Sequence, residues 1–106
     1  MSLDRINQNQ AENENDPKYF TYSQAMEKAA EAFNSGNLSS AEKICKLILK
    51  NKSDYYNAIR LLSLITIRTN RLDESLKWSK KTIELNPRNP QNYLNLGDIF
   101  FKKQKY

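Results

Sequence analysis

Histidine is absent from the 106 residues, and cysteine occurs once, at position 45. The first absence removes the usual general base, every Ser-His or Cys-His pair, and zinc sites built on imidazole. The second excludes an internal disulfide. Cys45 stands among Ile44, Leu47 and Ile48 at helical spacing, so it reads as a small buried hydrophobe, not a nucleophile. No apolar run reaches transmembrane length, and the first residues contain no apolar signal core, which excludes membrane insertion and signal-directed secretion; a cytoplasmic location is expected. The sequence has no nucleotide-binding glycine loop and no metal-ligand cluster, so no cofactor, no metal and no enzyme chemistry are expected of these residues.

Charge is unevenly spread. Residues 1–18 are Asn, Gln and Glu with little apolar content, and are expected to form a disordered tail because they bury too little surface to offset their ordering entropy. Residues 19–106 hold fifteen Lys and Arg against eight Asp and Glu. A basic surface attracts an acidic partner or nucleic acid at long range. Lys43, Lys46 and Lys50, and again Lys77, Lys80 and Lys81, recur at helix spacing, which reads as solvated outer faces. Nucleic-acid binding lacks the basic stripe interleaved with exposed aromatics that known modules use, so it is a weak third reading.

What the chain does have is a period. Gly36, Asn70 and Gln104 stand 34 residues apart, each closing an apolar segment of matching layout. Numbering each unit from Tyr22, Tyr56 and Pro90 aligns Ala25, Ile59 and Tyr93 at offset 4. Ala29, Ser63 and Gly97 fall at offset 8, and Ala32, Thr66 and Phe100 at offset 11. Offset 20 carries Ala41 and Ser75. A fixed period of this size marks a helical repeat solenoid, in which each unit buries its apolar face against its neighbours. Units 22–55 and 56–89 with a partial unit 90–106 give an all-α domain over 19–106, of about five helices.

Local signals place those helices. Thr21 with Gln24 three residues later forms a capping box, and Gly36 supplies a left-handed stop. The second helix carries Leu38, Ala41, Ile44, Cys45 and Ile48 and ends near Asn51. Ser53 or Asp54 is expected to cap a third helix from Tyr55 to about Thr69, hydrophobic on more than one side. The fourth runs from Asp73 to Leu85, with Asp73 and Glu74 favourable at its positive end. Asn86-Pro87 stops it, and Asn89-Pro90 restarts the chain as N-cap and first-turn proline. Small residues at offsets 8 and 20 let antiparallel helices approach closely, with Ala29, Ser63 and Gly97 on one side and Ala41 and Ser75 on the other. Leu96, Ile99 and Phe100 are left without internal cover, which predicts self-association through the incomplete last unit or a continuation of the chain.

Tyr93, Leu96, Gly97 and Phe100, with Ile59, Leu62, Ser63, Thr66, Ser75, Ser79, Thr82 and Pro87 in the preceding unit, resemble the tetratricopeptide repeat family. The resemblance implies antiparallel helix pairs in a right-handed solenoid and a role as a protein-protein interaction module. It also implies that the first helix of each unit lines a concave groove. The groove residues are then Asn57, Arg60, Leu64 and Arg68, followed by Leu94, Phe101 and Lys102, and the partner is a protein or peptide with apolar groups and an acid. Some relatives grip a C-terminal carboxylate with Lys and Asn in the first unit, where this chain has Met26 and Ala30. Others carry an asparagine ladder at offset 6, where only Asn95 stands, against Glu27 and Leu61. An alternative follows from the same resemblance: certain glycosyltransferases carry similar repeats ahead of a catalytic domain, and this chain could be such an N-terminal portion.

Overall fold

The computed structural model describes residues 21–105; the disordered tail expected for residues 1–18 lies outside the described residues. Among the described residues five helices follow one another: α1 (Tyr22–Asn34), α2 (Leu38–Asn51), α3 (Tyr56–Arg68), α4 (Leu72–Leu85) and α5 (Pro90–Gln104). The described residues divide into two compact units, one up to Ala58 and one from Ile59. In the first, α1 packs against α2. In the second, α4 packs against α5, and the Ser75 hydroxyl of α4 donates to the Ser63 carbonyl of α3 at 3.0 Å. This is an all-α fold of sequentially adjacent helix pairs, the architecture of a helical repeat.

The 34-residue period is written into the backbone. After α1, the amides of Ser35, Gly36 and Asn37 donate to the carbonyls of Glu31, Phe33 and Ala32. After α3, those of Thr69, Asn70 and Arg71 donate to Ile65, Ile67 and Thr66, the same pattern displaced by 34 residues. A left-handed residue closes each helix, Gly36 at φ +87° and Asn70 at φ 61°, as a Schellman turn demands. The next stop repeats too: Lys52 (φ −144°, ψ 94°) follows α2, and Asn86 (φ −145°, ψ 76°) follows α4. Their amides donate to Ile48 and Thr82, again 34 apart.

Starts of helices follow side-chain chemistry. The Gln24 amide donates to Thr21 Oγ1 at 3.0 Å, and the Thr21 amide donates to Gln24 Oε1 at 2.9 Å, which completes the expected capping box. Asn89 Oδ1 accepts from the Gln91 amide, with Pro90 at the first helical position. The start of α3 differs from expectation: Ser53 and Asp54 lie in a turn, and the helix begins one residue later than Tyr55. Asp73 and Glu74 sit in the first turn of α4, which opens at Leu72.

Burial follows the small-residue reading in the two complete repeats. Ala25, Ala29, Ala41, Cys45 and Ile48 are fully buried in the first unit, and Ile59, Leu62, Ile65 and Ile99 in the second. Ser63 and Ser75 are buried where they face each other. The third instance departs from it. Gly97 is exposed, and a methyl group added there would meet nothing within 4 Å, because among the described residues no helix lies across it. Ile99, expected to lack cover, is fully buried, since it faces the side of α5 that α4 covers. Leu96 is half-buried and Phe100 exposed.

Polar atoms inside the second unit are mostly served by nearby carbonyls. Thr66 Oγ1 donates to Leu62 at 2.7 Å and Thr82 Oγ1 to Ser79 at 2.6 Å. The hydroxyls of Ser63 and Ser79 are buried with no protein partner, a cost an alanine would avoid. Asn92 is buried in α5, and its Nδ2 donates to the carbonyls of Thr82 and Asn86 at the end of α4. Tyr93 Oη donates to the Pro87 carbonyl at 2.8 Å, fixing the turn before α5.

Two outcomes are expected from these packing differences. Gly97→Ala adds helix propensity without a clash and raises the urea-unfolding free energy by about 0.5–1 kcal/mol, whereas Gly36→Ala forces a side chain into a left-handed residue and lowers it by about 1 kcal/mol. Equal signs for the two would contradict the geometry. Cys45 is buried, and desolvation, with the Glu42 carboxylate second, pushes its thiol from 9.0 up to about 12. Stability contributed by keeping the thiol neutral is complete below pH 9 and is lost between about pH 9 and 12, as the unfolded chain ionises first. Cys45→Ala therefore loses less stability than the parent from pH 8 to 10, by about 1 kcal/mol at the upper end, in matched urea titrations.

Candidate functional site

On α3 the expected groove residues form one stripe, because Asn57, Arg60, Leu64 and Arg68 recur at three- and four-residue intervals. Asn57 and Arg68 are exposed at its ends, and Arg60 and Leu64 are half-buried between them. The opposite arc of α3 is the buried one: Ala58, Ile59, Leu61, Leu62, Ser63, Ile65 and Thr66 are all out of solvent. The stripe is therefore the wettable remainder of an otherwise buried helix.

The α5 members behave differently. Leu94 and Phe101, seven residues apart and so on one face, are 65% and 58% exposed, while Lys102 beside them is half-buried. Lys105 Nζ lies 4.7 Å from the centre of the Phe101 ring, a cation-π contact at an exposed site. Tyr93 and Phe100, outside the expected groove, are 48% and 46% exposed. Residue spacing alone could have flagged them, since Tyr93, Gly97 and Phe100 share a face, but the repeat frame assigns that face to the interior.

A pocket of about 300 Å³ opens elsewhere in the second unit, lined by Asn70, Leu72, Asp73 and Lys103. Lys103 Nζ donates to Asp73 Oδ1 across it, joining the last turn of α5 to the first turn of α4. Each charge sits at the helix end whose dipole favours it. None of the expected groove residues lines this pocket. Its one acid and one base already serve each other, and among the described residues no three His, Cys, Asp or Glu side chains gather into a metal site.

Most of the Lys residues at helix spacing on α2 and α4 are solvated. Lys43, Lys46 and Lys50 on α2 and Lys77 and Lys80 on α4 are exposed, with Lys81 half-buried. Lys46 pairs with Glu42 at 2.9 Å and Lys81 with Glu84 at 3.2 Å. Among the described residues no helix is long and apolar enough to cross a membrane.

No family model matches the chain. A curated relative does: the UDP-N-acetylglucosamine–peptide N-acetylglucosaminyltransferase of Caenorhabditis elegans is 32% identical to it over 83 residues. The match takes in 78% of this chain and 7% of that enzyme, so the chain spans a small fraction of its relative's length.

Proposed function

We propose that the chain is a helical-repeat module that holds polypeptide, akin to the tetratricopeptide repeats, and that it serves as the repeat portion of a peptide-modifying N-acetylglucosaminyltransferase or of a protein close to one. The observation that carries this reading is the 32% identity to such an enzyme over 83 residues, falling on a chain whose helix stops recur every 34 residues. Fifteen basic against eight acidic residues beyond position 18 favour acidic polypeptide on approach. The contact surface on this reading is the stripe Arg60, Leu64 and Arg68, with Asn57 at the start of the same helix, together with Leu94, Phe101 and Lys102. Aliphatic and aromatic groups there take apolar side chains of an extended peptide, and the guanidinium groups take its carboxylates. Chemistry, on this reading, belongs to a catalytic domain and not to these residues.

Two measurements test it. Sequencing the natural transcript past codon 106 supports the enzyme part if an in-frame catalytic domain follows and removes it if a stop codon does. Fluorescence anisotropy with labelled peptides that differ only in carrying Glu or Lys between two leucines tests the binding part. The Glu peptide binds the parent chain more tightly, and Arg60→Glu weakens it by about tenfold, the loss of a charge-assisted contact. Equal binding of both peptides, or no effect of the reversal, refutes the arginine stripe.

A further inference from the structure

The solvent-accessible strip of α3 has a spacing of its own. Arg60, Leu64 and Arg68 stand four residues apart, and Ile67 lies beside Leu64. Arg60, Leu64 and Ile67 are half-buried and Arg68 is exposed, whereas Leu61 and Ser63, which border the strip on either side, are buried. Four residues of helix rise about 6 Å, so the two arginines stand about 12 Å apart along the axis, and the slant of the row adds about 2 Å at side-chain radius. An extended polypeptide advances about 3.3 Å per residue and turns every second side chain to the same side. Its first, third and fifth side chains therefore fall at steps of about 7 Å, with about 13 Å between the outer two. Arg60, Leu64 and Arg68 repeat at the same steps.

Charge says what the two ends take. From Ile59 onward the chain has ten Lys and Arg against four Asp and Glu. Three of those acids already serve other bases: Glu74 lies 3.5 Å from Arg71, Glu84 lies 3.2 Å from Lys81, and Asp73 accepts from Lys103. Arg60 forms no ion pair among the described residues, although it is half out of solvent on a helix lined with apolar side chains. A guanidinium is always charged, and a partly buried one gains most from an acid that reaches it.

We propose that this strip, as the peptide-contact surface of α3 on which the reading above rests, selects an extended segment with acidic residues at its first and fifth positions and an apolar residue at its third. The outer carboxylates meet Arg60 and Arg68, and the central side chain packs on Leu64 and Ile67. The pattern is the same in both chain directions, so it sets spacing and not polarity. A helical ligand fits less well, because its body is about 10 Å across and buried Leu61 and Ser63 close the strip on either side. Phosphate also fits less well than carboxylate. Each end of the strip offers one guanidinium, since the neighbouring Arg71 is held by Thr69 and Glu74, and one guanidinium balances a carboxylate but not the nearly two charges of a phosphate.

The test is fluorescence anisotropy of the full chain with fluorescein-labelled peptides of one length in a Gly-Ser background. The core Glu-Ser-Leu-Ser-Glu binds about five- to tenfold more tightly than the same peptide with Gln for one Glu. Moving the second Glu one position nearer or farther turns it to the opposite side and loses that gain. Arg68→Gln also removes the gain, while the single-Glu peptide stays within about twofold of its parent affinity. Leu64→Ser weakens every leucine-bearing peptide about threefold, with circular dichroism showing the parent helix content. Equal affinity at all three spacings overturns the proposal, as does a gain that survives Arg68→Gln. Tighter binding of a stapled helical peptide whose acids stand eight residues apart overturns it by showing a helix in register with α3. Phosphoserine at both outer positions overturns the choice of carboxylate if it binds about tenfold more tightly than Glu. If spacing makes no difference while Arg60→Glu still weakens binding, the contact surface stands and the pattern alone falls. If no acidic peptide saturates up to about 1 mM, both fall.

Discussion

Close approach between consecutive helices depends on a chain reversal that takes only three residues, and two such reversals built from identical backbone hydrogen bonds set the geometry of everything else. Each one needs a residue at positive φ, supplied by Gly36 in one case and Asn70 in the other. A turn this short leaves the returning helix no choice but to lie against the one before it, so the facing side chains must be small. Ala29 and Ala41 meet that demand in the first repeat. In the second it is met by Ser63 and Ser75, whose hydrogen bond partly offsets the cost of burying polar groups. The surface is what remains: a stripe on α3 and an open face on α5.

Much of this was legible from residue order because it is local. The capping box at Thr21 and Gln24, the left-handed Gly36, and the Asn89-Pro90 restart each depend on neighbours within a turn of helix, and all three take the expected form. Burial of Cys45 followed from its apolar flanks at helical spacing. The 34-residue frame then carried these local signals from one repeat to the next.

What escaped residue order depends on neighbours far away in sequence. Gly97 reads as a small packing residue because its counterparts Ala29 and Ser63 are buried, yet no helix among the described residues meets it. Ile99 reads as uncovered because the repeat frame pairs the partial unit with a second helix, yet it is fully buried. Asn92 gave no signal: its counterpart one repeat earlier is Ala58, and only the arrival of α4's last carbonyls gives an amide work in that place. The site residues share this limit. Spacing put Arg60, Leu64 and Arg68 on one stripe and Tyr93 and Phe100 on one face of α5, but the repeat frame assigned that second face to the interior, where it is not found.

Asn92 has a kinetic corollary. The final turn of a helix ordinarily frays by itself, since its carbonyls bond to solvent and little is lost when they swing free. Here the carbonyls of Thr82 and Asn86 are held by a buried amide in the first turn of α5, so loosening the tail of α4 requires dislodging the head of α5. The junction between them opens as one event, and its backbone amides exchange their hydrogens at a common pace.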